Sequence, residues 1–289
     1  MASLLDSDSL RWLKRLHLRV TGRVRGGLRG ERRSATKGSG GEFIDTRPYA
    51  AGDDLRHLDW HLYARLDQLL IRIYEAPRDH TLHILLDESP SMAVDDKIWF
   101  ARRLAAALGY LTLSSGDRVT VTKFSDAVIS RVGPLRSVRK APELLRFLDE
   151  DAPQGGGTDL LPAAQSVAAR RHPGTVVLIS DLMGENREET LRVLAAARLR
   201  AAVLHVLSPQ ERMPALGGEV TLIDSETQEQ FTTRIDARMQ RAYVDRLNAF
   251  TAGIRATCTG YGFAFIDIGT DVSMEQLLIG DLRKGGLVR

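Results

Sequence analysis

From residue 81 onward, short apolar runs alternate with longer segments of helical length. Leu82 to Leu86, Val119 to Phe124, Thr175 to Ser180, Ala202 to Leu207 and Phe263 to Ile268 read as strands. Residues 95–115, 142–149, 161–171, 186–200, 236–258 and 274–282 read as helices, with Pro142 suited to open the second. The helix over 95–115 is apolar on most sides between Arg103 and Ser114, which predicts deep burial. Ala127 to Val132 follows the previous strand too closely for a crossover helix, so a hairpin and one antiparallel edge strand are expected. Strands alternating with helices argue for an α/β chain with a doubly wound, mostly parallel sheet. Within it, Gly218 to Ile223 and Gln230 to Ile235 flank Asp224-Ser225-Glu226-Thr227, a β-hairpin inserted over about 209–235.

The pattern differs ahead of the sheet. Residues 42–80 lack helical periodicity, are punctuated by Pro48, Gly52 and Asp53-Asp54, and end in a strand-like run from Leu69 to Tyr74. This predicts a partly extended module. Leu10, Leu13, Leu16 and Val20 have helical spacing among basic residues, either as a helix docked on its own domain or as a surface-seeking one. Residues 22–41 are rich in Gly and Arg and read as a connector. Three regions result: a basic arm and connector over 1–41, a charged module over 42–80, and the α/β domain over 81–289.

Charge sharpens this division. The chain of 289 residues has a net charge of +3. Residues 1–41 hold ten basic against three acidic residues, a net of +7, whereas the remaining 248 hold 30 against 34, a net of −4. Residues 11–37 therefore suit electrostatic contact with nucleic acid or an anionic membrane. An apolar content of 43% excludes wholesale disorder. The single cysteine, Cys258, excludes an internal disulfide framework and a Cys-rich zinc site. No run reaches the ~18–20 apolar residues of a membrane span, and Asp6 and Asp8 break the pattern of a signal peptide. A cytoplasmic protein is expected, with the arm as its means of peripheral contact at the inner membrane face.

Three pieces carrying only oxygen donors fall at strand ends or in a Gly-rich loop: Asp87-Glu88-Ser89-Pro90-Ser91, Thr158 after Gly155-Gly156-Gly157, and Asp181 after a buried strand. Such donors suit Mg²⁺ or Mn²⁺. In a doubly wound sheet they meet if the strands ending at Asp87 and Asp181 flank the reversal of strand order. The alternative is that Ser91, Thr158 and Asp159 merely cap helices. Asp87, Ser89, Ser91, Thr158 and Asp181 together resemble the metal-ion-dependent adhesion site of von Willebrand factor A-like domains. The resemblance implies Ser89, Ser91 and Thr158 as direct ligands, Asp87 and Asp181 as outer or variable ones, and a coordination position completed by a partner's carboxylate. It implies binding without bond breaking.

A second resemblance rests on Gly40, Glu42, Phe43, Arg47, Tyr49, Gly52, Asp53, Asp54, Arg56, Asp59, Trp60, Ala64 and Arg65, continuing to Asp224, Glu226 and Thr227. These are similar to the signature of the bacterial domain-of-unknown-function family fifty-eight, whose members place this stretch before a von Willebrand A-like domain. The resemblance implies a MoxR-type AAA+ ATPase as partner and an adaptor or co-chaperone role in complex maturation, and the adhesion-site resemblance adds a carboxylate-presenting client. Gln228 stands where a glycine is expected in the hairpin turn. The module's alternating charges pair internally, with Trp60 and Tyr49 as packing anchors, or else Arg47, Arg56, Asp59 and Arg65 contact a partner.

Rival chemistries are thinner. His57 and His61 are four apart but lack a third zinc ligand. The Gly155–Gly157 loop lacks the Lys-Ser/Thr of a nucleotide-binding loop. No Ser-His-Asp set can be assigned, and Cys258 reads as a core thiol. A metal-dependent hydrolase would need Glu88 or Asp159 as general base.

Overall fold

A computed structural model describes residues 4–5, 9, 11, 13, 43–50, 53–74, 80–150, 157–170, 174–215, 217–285 and 287. The basic arm beyond Leu13, the connector, Glu42, Gly52 and Gly155-Gly156 lie outside the described residues. The chain divides into two units, Gly27–Asp79 and, together, Met1–Gly26 with His80–Arg289.

In the smaller unit, β1 (Phe43–Pro48) pairs antiparallel with β2 (Leu70–Tyr74). A 3-10 turn, Leu55–His57, and a helix, Trp60–Leu66, fill the connection. Seven residues are too few to show a helical period, which is why the sequence pattern misses this helix. Its start is set by Asp59, whose carboxylate accepts from the N–H groups of His61 and Leu62. It stops at Asp67, which adopts a left-handed conformation.

In the larger unit, β3 (Thr81–Asp87), β4 (Arg118–Phe124), β5 (Val128–Arg136), β6 (Gly174–Ser180) and β7 (Arg200–Leu207) precede the hairpin of β8 (Gly218–Ile223) and β9 (Gln230–Ile235). β10 (Ala264–Gly269) completes a six-stranded sheet in the order β10-β7-β6-β3-β4-β5. All neighbours are parallel except β4 and β5, the expected antiparallel edge pair. The chain leaves β3 toward β4 and β5, then returns to place β6 on β3's other side. Strand order therefore reverses between β3 and β6, where a doubly wound sheet opens a crevice beyond its carboxyl ends.

Side-chain alternation along the strands feeds two cores. Leu82, Ile84 and Leu86 join Val177 and Ile179 on one face, under the helices Lys97–Ser114 and Ala141–Asp149. Leu85, Val176 and Leu178 face the helices Leu161–Ala168, Arg187–Ala196 and Ala237–Gly260 on the other. The helix Lys97–Ser114 is buried nearly all round, as its apolar surface demands. Side chains such as Leu104, Leu108 and Leu111 each contribute roughly 1.5–3 kcal/mol through burial. Leu4, Leu5 and Leu13 are buried in the first core, so these three side chains are docked on their own unit.

Helix ends differ from the sequence pattern where the backbone turns. The helix Arg187–Ala196 stops early because Arg198 is left-handed and β7 begins at Arg200. The last helix is three short pieces, Met274–Gln276, a π-helical turn Leu277–Asp281, and Leu282–Lys284. No described helix is long and apolar enough to cross a membrane.

Candidate metal centre

Asp87 is the last residue of β3 and is fully buried. Its Oδ1 accepts from the Ser89 N–H at 2.9 Å, and its Oδ2 from the hydroxyl of Ser180, the last residue of β6, at 2.5 Å. The two strands flanking the reversal are thus joined side chain to side chain. Ser89 stands at the cap position of the 3-10 helix Pro90–Asp96 but makes no capping bond. Its hydroxyl instead lies 3.1 Å from that of Ser91.

The loop carrying Thr158 is pinned to the end of β4: the Ser125 hydroxyl donates to Gly157 O at 2.6 Å, and Asp159 N–H to Ser125 O at 2.9 Å. On its other side Thr158 packs against Gly184, just beyond Asp181. A β-carbon at Gly184 would lie 2.6 Å from the Thr158 carbonyl oxygen. Capping of the helix Leu161–Ala168 falls to Asp159, which accepts from Leu161 N–H at 2.9 Å. The Thr158 hydroxyl is not a cap; it donates to Glu226 Oε1 in the inserted hairpin at 2.5 Å.

Asp181 follows β6 and is fully buried. Its Oδ2 accepts from Lys97 Nζ at 2.8 Å, and its Oδ1 from Met183 N–H at 3.2 Å. Lys97, also fully buried, reaches Glu211 Oε1 at 2.5 Å. Glu211 is held by a reciprocal cap with Ser208. Burial pulls the Lys97 pKa down, yet Asp181 and Glu211 outweigh it and raise it above the ordinary lysine value. The backbone oxygen of Asp181 lies 3.1 Å from His205 Nε2, and Nδ1 of the same ring lies 3.1 Å from Asp267 Oδ1. Burial, and then the neighbouring Asp181, push the Asp87 carboxyl up to about 7, against the downward pull of Ser180 and Ser89.

The structure therefore gathers Asp87, Ser89, Ser91 and Asp181 at the switch point and sets Thr158 between the end of β4 and Gly184. Lys97 and Glu211 carry no signal in the sequence, and Glu226 stands out there only within the hairpin signature, without a role at this site. Lys97 opens the buried helix, where its charge had no evident partner.

The donor set fits a hard dication. Neighbouring oxygens around octahedral Mg²⁺ at ~2.1 Å lie ~3 Å apart, close to the 3.1 Å between Ser89 and Ser91. The Lys97 ammonium is shared by two carboxylates, Asp181 and Glu211, so this side of the crevice is short of positive charge. Among the described residues no three His, Cys, Asp or Glu side chains form a metal-holding group, so a cation here depends on hydroxyls.

The other candidates resolve differently. Glu88 is buried and paired with Arg102 at 2.9 Å and Lys123 at 3.2 Å, and Asp159 is committed to its helix cap, so neither is set up as a general base. His57 and His61 lie on separate helices and share no face, which removes the basis for a zinc pair. Cys258 is buried, and burial pushes its thiol up to about 11. In the smaller unit Arg47 makes two bonds to Asp53 at 2.6 and 2.8 Å, Arg56 pairs with Asp54, and Asp59 with Arg72 at 2.7 Å. Arg65 is exposed. Trp60, expected as a packing anchor, is instead 61% exposed and meets Tyr63 edge-on. It lies in the first turn of a helix that buries none of its side chains.

Residues 45–251 match the family model described as Protein of unknown function DUF58. The chain belongs to this family. Among relatives of this DUF58 chain, the uncharacterized proteins Rv1480 of Mycobacterium tuberculosis and Mb1516 of Mycobacterium bovis are each 30% identical over 269 residues, covering 90% of this chain and 84% of theirs. Similar solved structures include the conserved hypothetical protein BatB from Bacteroides thetaiotaomicron, at 17% identity and a TM-score of 0.45, covering 72% of this chain and 98% of that one. An aerotolerance-related membrane protein from Bacteroides fragilis has 18% identity and a TM-score of 0.45, covering 71% and 99%.

Proposed function

We propose that this DUF58 chain is a cation-assisted protein-interaction module without catalysis of its own, serving as adaptor or co-chaperone for a MoxR-type AAA+ ATPase. The observation that carries the reading is the oxygen-lined crevice between β3 and β6, where Asp87 and Ser180 join the two strand ends. Ser89, Ser91 and Thr158 would hold Mg²⁺ or Mn²⁺ through their hydroxyls, with Asp87 and Asp181 behind them. The cation would supply positive charge for a client's carboxylate. Asp181 is already bonded by Lys97 and Met183, which favours an outer role for it. The ATPase partner rests on the family resemblance.

Affinity capture from native lysate tests partner and cation together. Tagged wild type is expected to retain an AAA+ ATPase, and EDTA or Asp87→Ala to release it. Retention of no such ATPase, with or without ATP, would remove the adaptor role. Retention indifferent to EDTA and to Asp87→Ala would remove the crevice from the interaction.

A further inference from the structure

The hairpin of β8 and β9 is exposed along most of both strands, including Leu222, Ile223 and Phe231. A two-stranded ribbon with so little packing is marginally stable by itself. Its tip is nonetheless tightly ordered. Asp224 Oδ1 accepts from the N–H groups of Glu226 and Thr227, both at 2.8 Å, and those bonds hold the Asp224 carboxyl below its usual range. Gln228 takes the left-handed conformation expected of a glycine, with a φ of 61°. Its side-chain amide donates to Ser225 O at 3.2 Å and Asp224 O at 3.4 Å, which compensates for a backbone that non-glycine residues adopt at a cost.

This ordering aims one side chain at the loop that carries Thr158. Glu226 Oε1 accepts from the Thr158 hydroxyl at 2.5 Å, across 68 positions of sequence. Oε2 lies 3.5 Å from where a β-carbon on Gly157 would stand, so the carboxylate rests over the Thr158 loop. The hydroxyl assigned to the cation is therefore already engaged by an acid from the same chain.

We propose that Glu226 is a ligand in cis: with a divalent cation at Ser89, Ser91 and Thr158, the hairpin supplies a carboxylate to it. The inference rests on the cation-assisted reading above and deepens it. A client's acid would have to displace the hairpin, and the ribbon's sparse packing makes that displacement inexpensive.

The test is a Mn²⁺ titration of the full chain by calorimetry, together with tryptic cleavage at Arg234, which is exposed in β9. Wild type, Glu226→Gln and Ser89→Ala are compared. Glu226 is only half buried, so Glu226→Gln keeps the fold while removing the charge. Glu226→Gln is expected to weaken Mn²⁺ binding at least ~10-fold, the scale on which groups supporting a metal site act. Mn²⁺ should slow cleavage at Arg234 in wild type and not in Glu226→Gln. If wild type binds Mn²⁺, Ser89→Ala does not, and Glu226→Gln matches wild type in both readouts, the cis ligand is wrong and the crevice reading stands. If wild type binds no Mn²⁺, both fall.

Discussion

Lys97 Nζ lies 2.8 Å from Asp181 Oδ2, and neither side chain is exposed to solvent. A buried ammonium here compensates the carboxylate at the strand end and shares its charge with Glu211. Removing one partner of such a pair leaves an uncompensated buried charge. Lys97→Met is therefore expected to cost about 3–5 kcal/mol, read as a lower urea midpoint. Combining it with Asp181→Asn should cost less than the two changes summed, because the residues share one interaction. Additive losses in the double variant would show that the pair is not coupled.

Asp87 gives the apo protein a pH dependence of definite sign. Its pKa is about 7 in the folded chain, against ~3.9 for an ordinary aspartate. Between these values the folded state binds more protons than the unfolded state, so stability falls as pH rises through the window. With chelator present, urea midpoints should decline from about pH 4 toward pH 7 by more in wild type than in Asp87→Asn. Parallel profiles for the two proteins would count against a neutral, buried Asp87.

Gly184 tests the placement of Thr158 without touching a ligand. A β-carbon there would lie 2.6 Å from both the Thr158 carbonyl oxygen and Cγ2, so the loop must shift. Gly184→Ala is expected to destabilise by about 1–3 kcal/mol and to weaken Mn²⁺ binding, measured by thermal melting and calorimetry. Unchanged binding would separate Thr158 from the cation.

Much of this arrangement is readable from the chain, and the exceptions are either contacts of long range or elements too short for a local period. β6 and β7 are nearly continuous apolar runs because a parallel sheet is covered on both faces, and the hairpin strands coincide with their sequence limits. Asp87, Ser89 and Ser91 stand out because they cluster directly after one such run. Lys97 does not, and Glu226 does so only as part of the hairpin signature, because their partners lie 84 and 68 positions away and no local period encodes a contact of that range. The helix Trp60–Leu66 escapes for the opposite reason: it is too short to display a period, and only the cap at Asp59 announces it.

In the proposed function, the crevice between β3 and β6 holds a divalent cation through serine and threonine hydroxyls. The most direct measurement is calorimetric titration of metal-stripped full-length chain with Mn²⁺, beside a variant carrying both Ser89→Ala and Ser91→Ala. One saturable site in the wild type, lost in the variant while its melting temperature is retained, is the expected result. No saturable site in the wild type, or equal affinity in the two proteins, would contradict it.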